Sequence, residues 1–175
     1  MLRLNLGCGP CYKKGYVNVD FYVKKADMHF DLNKYPYPFK NSSVDEIYMR
    51  SVLEHLDNIS KFMAEAYRIL KKNGRLIIEA FPHFTSAGVY DDPGHKHAAS
   101  WKTFRYFVKG TPESYSNYYL GKVCFSKIKQ RIIFGKKYAV WNYIVEPIAN
   151  IFPHLYEDTP LRIFPALEIR IELIK

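Results

Sequence analysis

Leu2-Arg3-Leu4-Asn5-Leu6-Gly7-Cys8-Gly9-Pro10-Cys11 is the stretch on which the reading of this chain turns. Leucine at every second position, with Arg3 and Asn5 between, puts one side chain type on one side of an extended backbone, and the run ends at Gly7. A strand that enters a two-glycine turn lets a ligand approach main-chain atoms where a side chain would block it. In open α/β sheets, that place beyond the carboxyl end of a strand is where ligands bind.

Working outward, residues 16–19 read as a second short strand ending at Asp20, and residues 27–32 as a third. Residues 33–43, with Pro36, Pro38 and Asn41, have the chemistry of a loop, and residues 44–49 read as a buried strand. Ile59, Phe62, Met63, Ala66, Ile69 and Leu70 recur at three- and four-residue intervals, the stripe of an amphipathic helix. Asp57 or Asn58 can cap its start, Lys71 and Lys72 suit its negative end, and Gly74 offers a left-handed terminator. Residues 75–80 look like a strand buried on both faces. In the second half we expect a short helix at 100–109, a strand at 123–134 and a helix at 138–152 interrupted at Pro147. A last strand at 166–174 alternates Leu167, Ile169, Ile171 and Leu173 with Glu168, Arg170 and Glu172. The order predicts an α/β fold: a mostly parallel central sheet with an antiparallel final strand and helices on both faces.

The chain has 175 residues, which suits one domain, and 48% hydrophobic with 25% charged residues is the usage of a globular protein. No run approaches the roughly 18 to 20 apolar residues of a membrane helix, and the start carries no apolar signal core, so a cytoplasmic protein without a membrane span is expected. Three cysteines are too few and odd in number for a disulfide framework. The net charge of +9 is concentrated: ten basic residues lie between Lys96 and Lys137 against the single acid Glu113.

Three readings compete for the glycine turn. A dinucleotide site wants a third glycine where Tyr12 stands, and eight residues between Gly7 and Tyr16 leave little room for a phosphate-binding helix. Cys8-Gly9-Pro10-Cys11 is also a redox tetrapeptide, but Lys13-Lys14-Gly15 leads at once into another strand, not into the helix that lowers such a thiol's pKa. The third reading rests on several motifs in order. Leu4-Asn5-Leu6-Gly7-Cys8-Gly9-Pro10 resembles the first motif of class I S-adenosylmethionine-dependent methyltransferases, and Val17-Asn18-Val19-Asp20 the second strand with its terminal acid. Asp31-Leu32, Ser51-Val52-Leu53-Glu54-His55-Leu56 and Leu70-Lys71-Lys72-Asn73-Gly74-Arg75-Leu76 are similar to the family's later motifs, and together they cover about the first 80 residues. Asp92-Pro93-Gly94-His95 and residues 163–168 resemble the small methyltransferase-11-like members.

The resemblance implies a Rossmann-like methyltransferase fold in one domain over 1–175, with a cofactor half at 1–82 and an acceptor half at 83–175. It implies S-adenosyl-L-methionine as cofactor, held by Asn5, Gly7, Cys8, Gly9, Asp20, Phe21, Asp31, Leu32 and Arg50. Asp20 would accept from both ribose hydroxyls, Phe21 and Asp31 would meet the adenine, and Arg50 the methionine carboxylate. This chain departs from the family in lacking the N-terminal helices that many members place over the cofactor, and in its short first crossover.

Methyl transfer to a hydroxyl or protonated amine is helped by a base of near-neutral pKa, for which His55, His83 and His95 are the candidates. No metal is expected; Asp91, Asp92, His95 and His97 read as a solvated loop. The basic stretch is interleaved with Trp101, Phe104, Tyr106, Phe107, Tyr115, Tyr118, Tyr119, Phe125 and Phe134. It suits an anionic acceptor (small molecule, glycan or lipid) or a solvated face over an aromatic core. A nucleic-acid methyltransferase or nucleic-acid-binding module using the basic stretch at 96–137, and a non-catalytic cofactor-binding subunit, are the rival functions, and a homo-oligomer stays open. In residues 138–152 the stripe Val140, Trp141, Ile144, Val145, Ile148 and Ile151 reads as core or as a lid on the acceptor pocket.

Overall fold

The computed structural model describes residues 1–116, 123–137 and 139–175, so Tyr118, Tyr119, Lys122 and Tyr138 lie outside the described residues. Its elements are β1 (Arg3–Leu6), β2 (Val17–Val19), β3 (Val44–Arg50), α1 (Ile59–Ile69) and β4 (Leu70–Pro82), then α2 (Gly88–Asp91), β5 (Lys127–Ile133), α3 (Asn142–Ile151), α4 (Pro153–Glu157) and β6 (Glu168–Ile174). The six strands form one sheet in the order β2-β1-β3-β4-β6-β5. Pairing is parallel from β2 through β4, and β6 runs antiparallel to both β4 and β5. This is an α/β Rossmann-like sheet with the antiparallel final strand that the alternation of residues 166–174 predicts. The expected third strand reduces to one bridge, Val19 to Met28, because β2 is only three residues long and offers no longer edge to pair with.

Leu4, Leu6, Ile47, Met49, Leu76 and Ile78 all lie on one face and are sealed from water by α1, whose Phe62, Met63, Ala66 and Ile69 complete the core. Fully burying each such side chain contributes roughly 1.5–3 kcal/mol. The opposite face is polar. Arg75 is exposed, Ile77 and Glu79 are half-buried, and α3 reaches this face at its β5 edge, where Glu146 Oε1 accepts from Arg131 at 2.6 Å. Residues 75–80 are therefore buried on one face and not on two.

Asn58 caps α1, its Oδ1 accepting from Lys61 N at 2.9 Å. At the other end the left-handed residue is Asn73, at φ 63°, and not Gly74. Gly74 is needed for space, since a Cβ there would meet the Lys71 carbonyl oxygen at 2.9 Å. The last helical carbonyls are satisfied from the far end of the chain: Lys175 Nζ donates to Tyr67 O at 2.6 Å and Leu70 O at 2.8 Å.

The connection from β1 to β2 is shorter than the dozen or so residues usual for a parallel crossover. A buried side chain does the work of the missing helix. Asn18, fully buried, accepts from Asn5 Nδ2 at 2.8 Å and Lys13 N at 2.7 Å, and its Nδ2 faces the Tyr16 carbonyl at 3.0 Å. Asp27 Oδ2 accepts from Asn18 N at 2.7 Å. Asn18→Ala leaves several of these groups unpaired, and we expect a loss of about 2–3 kcal/mol in urea unfolding. An unchanged midpoint would show that the network does not hold the turn.

In the second half, 100–109 forms turns with a short 3-10 segment at Arg105–Phe107 instead of a helix. Helix α3 contains Pro147, as expected, but is oriented against its apolar stripe. Asn142 and Glu146 are buried while Trp141, Ile144 and Ile151 are exposed, so the stripe is core only at Val145. The polar residues turn inward because the edge strand needs partners. Asn150 Oδ1 accepts from Ile132 N and its Nδ2 donates to Ile132 O, each at 2.8 Å, and Glu146 Oε2 accepts from Phe134 N at 3.1 Å. Side chains on α3 thus close the outer edge of β5, which would otherwise offer unpaired backbone.

Candidate cofactor and acceptor site

Two adjoining cavities open at the carboxyl ends of β1, β2 and β3. One of about 550 Å³ is lined by Asp20, Phe21, Asp31, Leu32, Val52 and His55. Its neighbour, about 430 Å³, is lined by Asn5, Cys8, Tyr48 and Arg50. The cavities share Gly7, Gly9 and Ser51. All nine residues expected at the cofactor therefore touch one cavity or the other.

Gly7 and Gly9 both have positive φ, +64° and +49°, the left-handed conformation that glycine adopts at no steric cost. Asp20 ties this turn to the end of β2: Oδ2 accepts from Gly9 N at 2.9 Å, and Oδ1 from Tyr22 N at 2.8 Å and Val23 N at 3.0 Å. Burial pushes the Asp20 carboxyl up, but these three N–H donors and nearby His29 outweigh it and hold the group below its ordinary value. The carboxylate stays ionised and has lone pairs to spare. Phe21 is 54% exposed, so it is not a core residue; its ring packs edge-on to Tyr22 at the cavity mouth. Asp31 Oδ1 accepts from Asn33 N at 2.9 Å, an Asx turn that fixes the carboxylate at the wall.

Asn5 is buried and serves the turn, donating to Cys11 O at 3.0 Å as well as to Asn18. Burial, then the charges of Asp20 and Asp27, push the Cys8 thiol up, the reverse of what a redox thiolate requires. Cys8, Cys11 and Cys124 are all free.

The three histidines separate. His55 lines the larger cavity, and His95 stacks obliquely on it with ring centroids 4.7 Å apart. His83 is fully buried elsewhere, with Nε2 3.0 Å from Glu157 Oε1 and Nδ1 2.9 Å from Thr85 Oγ1. In the loop 91–97, Asp92 Oδ1 accepts from Gly94 N at 2.7 Å and His97 Nε2 lies 2.9 Å from Leu56 O, so both are engaged in shaping the loop. Two site residues escaped the sequence reading. Lys96 lines the larger cavity, and Glu54, 1% exposed, stands behind His55. Burial pushes the Glu54 carboxyl up, against hydrogen bonds and charges from its own turn, His55 and His95. The only cue was the motif around Glu54-His55, and which of its residues points inward depends on the 3-10 turn Leu53–His55.

Of the aromatics in the basic stretch, Phe104, Phe107, Phe125 and Phe134 are buried and unable to stack on nucleic-acid bases. Lys127, Lys129 and Arg131 do share the exposed face of β5, but Arg131 pairs with Glu146 and Lys129 stands opposite Glu172. No helix among the described residues is long and apolar enough to cross a membrane.

A glycine turn after β1, an acid after β2 and a sheet closed by one antiparallel strand define the class I methyltransferase architecture. Residues 13–78 match the family profile of a methyltransferase domain, and no curated protein matches by sequence. An S-adenosylmethionine-dependent methyltransferase from Archaeoglobus fulgidus superposes with a TM-score of 0.61 at 19% identity, over 99% of this chain and 85% of that one. Another from Mesorhizobium loti gives 0.55 at 12% identity, over 99% and 90%. The whole chain therefore has the fold of the class I S-adenosylmethionine-dependent methyltransferases, and residues 13–78 carry the sequence match to a methyltransferase domain.

Proposed function

We propose that the protein transfers the methyl group of S-adenosylmethionine to an anionic acceptor, a small molecule, glycan or lipid headgroup, bound at the His55 end of the larger cavity. The observation that carries this is the convergence of all nine expected cofactor residues on two cavities joined at Gly7 and Gly9. Asp20 accepts from the ribose hydroxyls, Phe21 covers the adenine beside Asp31 and Leu32, and the methionine end crosses the glycine turn toward Arg50. Transfer is an in-line displacement at the sulfonium methyl, so the chain's contribution is alignment and exclusion of water. Residues 1–82 hold the cofactor in this reading, and residues 83–175, through the loop bearing His95 and Lys96, build the acceptor wall. We assign His83 to structure, because both of its ring nitrogens are occupied.

Calorimetry with S-adenosylmethionine and S-adenosylhomocysteine tests it, with NAD as control. One saturable site for the two methionine derivatives and none for NAD is the expected result. Folded protein that binds neither sinks the assignment. Binding without turnover on any anionic acceptor favours the non-catalytic subunit, and salt-sensitive RNA affinity independent of cofactor favours the nucleic-acid module.

A further inference from the structure

Two imidazoles and a carboxylate, His55, His95 and Glu54, converge beside the larger cavity, which His55 lines. His95 Nδ1 lies 2.7 Å from Gly88 O, and His55 Nδ1 lies 3.2 Å from Gly94 O. A carbonyl oxygen only accepts, so each Nδ1 carries a proton, and Nε2 is the ring nitrogen left to take a second proton or a metal ion. His95 Nε2 faces Glu54 Oε1 at 3.9 Å, and the other carboxylate oxygen, Glu54 Oε2, is buried without a hydrogen-bond partner. One ligand atom from each of Glu54, His55 and His95 lies within 4.8 Å of the others. Acceptors buried against acceptors are costly unless a proton or a cation sits between them.

We infer that Glu54, His55 and His95 form a binding site for a first-row divalent transition ion at the acceptor end of the cofactor cavity. Two imidazole nitrogens and one carboxylate oxygen are a donor set for such ions, and it leaves coordination positions open. Imidazoles whose second nitrogen donates to a backbone carbonyl are already oriented as metal ligands are. An ion about 2.0–2.2 Å from each atom requires modest rotation of the two half-buried rings. The site's role, though not its existence, rests on the methyltransferase reading. An open position takes an acceptor hydroxyl, which gives its proton to solvent. Its oxygen then bonds the methyl carbon while the carbon–sulfur pair stays on sulfur, leaving S-adenosylhomocysteine.

The test uses the full chain, stripped with chelator and titrated with Zn2+ or Co2+. One equivalent should bind, with a visible Co2+ absorption band, and Glu54→Gln and His95→Ala should each weaken binding at least tenfold. His154→Ala, at an exposed position of helix α4, should leave it unchanged. Thermal unfolding checks each variant; if Glu54→Gln does not fold, His95→Ala and His55→Ala, at half-buried positions, carry the test. Absence of saturable binding overturns the site. So does unchanged affinity in the folded variants, the result expected if only a proton bridges Glu54 and His95. Titrating the stripped protein with S-adenosylhomocysteine separates the two conclusions: cofactor binding without metal binding defeats only the cation site, and metal binding without cofactor binding defeats only the methyltransferase reading.

Discussion

Asp20→Ala should lower affinity for S-adenosylhomocysteine by two to three orders of magnitude. In the proposed cofactor pose two ribose hydroxyls donate to this charged carboxylate, and two such bonds at the lower end of roughly 1.5–3 kcal/mol each account for a loss of that size. The variant also frees Gly9 N, Tyr22 N and Val23 N, so the glycine turn loosens as the ribose anchor goes. Asp20→Asn separates the effects: it keeps one acceptor oxygen for the turn and gives up the charge, and should bind with an intermediate affinity. Calorimetry with each variant, alongside circular dichroism for the fold, reads this directly; full affinity in folded Asp20→Ala would remove the acid from the site. The sign of the pH dependence follows from the lowered carboxyl. Asp20's contribution to stability is complete above its ordinary value of 3.8 and is lost as the pH falls through the lower value of the folded state.

The parallel part of the sheet was legible because its signals are local. Alternating leucines before Gly7, the acid at the end of residues 16–19 and the stripe from Ile59 to Leu70 each fix a short stretch of backbone, and the sheet places them side by side. What the sequence hid depends on partners distant along the chain. Asn18 reads as one polar residue in a strand, yet it holds the first crossover only because Asn5, Lys13 and Asp27 close on it. Helix α3 has an apolar stripe that periodicity sends to the core, but unpaired backbone on β5 claims Glu146 and Asn150 and turns the stripe outward. Glu54 and His95 meet across some forty positions of sequence, so no spacing rule could pair them. Among the left-handed residues, Asn73 and Gly7 show the same division. Glycine announces one, whereas Gly74 misleads about the other, since it is kept for clearance from Lys71.

Gly7→Ala is expected to cost about 2–5 kcal/mol in stability and to abolish cofactor binding, through two separable effects. The left-handed φ of +64° penalises any Cβ by roughly 1–2 kcal/mol. That Cβ would also stand 2.5 Å from Val52 Cγ2 and 2.7 Å from Val52 Cγ1, and Val52 is β-branched with little freedom to move aside. Overpacking of this kind adds roughly 1–3 kcal/mol. Shortening the neighbour gives the decisive comparison. Gly7→Ala with Val52→Ala should recover the steric part, leaving only the backbone penalty, and the coupling between the two positions in a denaturant double-mutant cycle should be favourable by at least 1 kcal/mol. Because Val52 and Gly7 both line the larger cavity, the relieved double variant should regain part of its affinity for S-adenosylhomocysteine. Zero coupling would mean that Val52 does not press on the turn, and that the fit of β3's exit against the glycine turn is not what shapes the cofactor cavity.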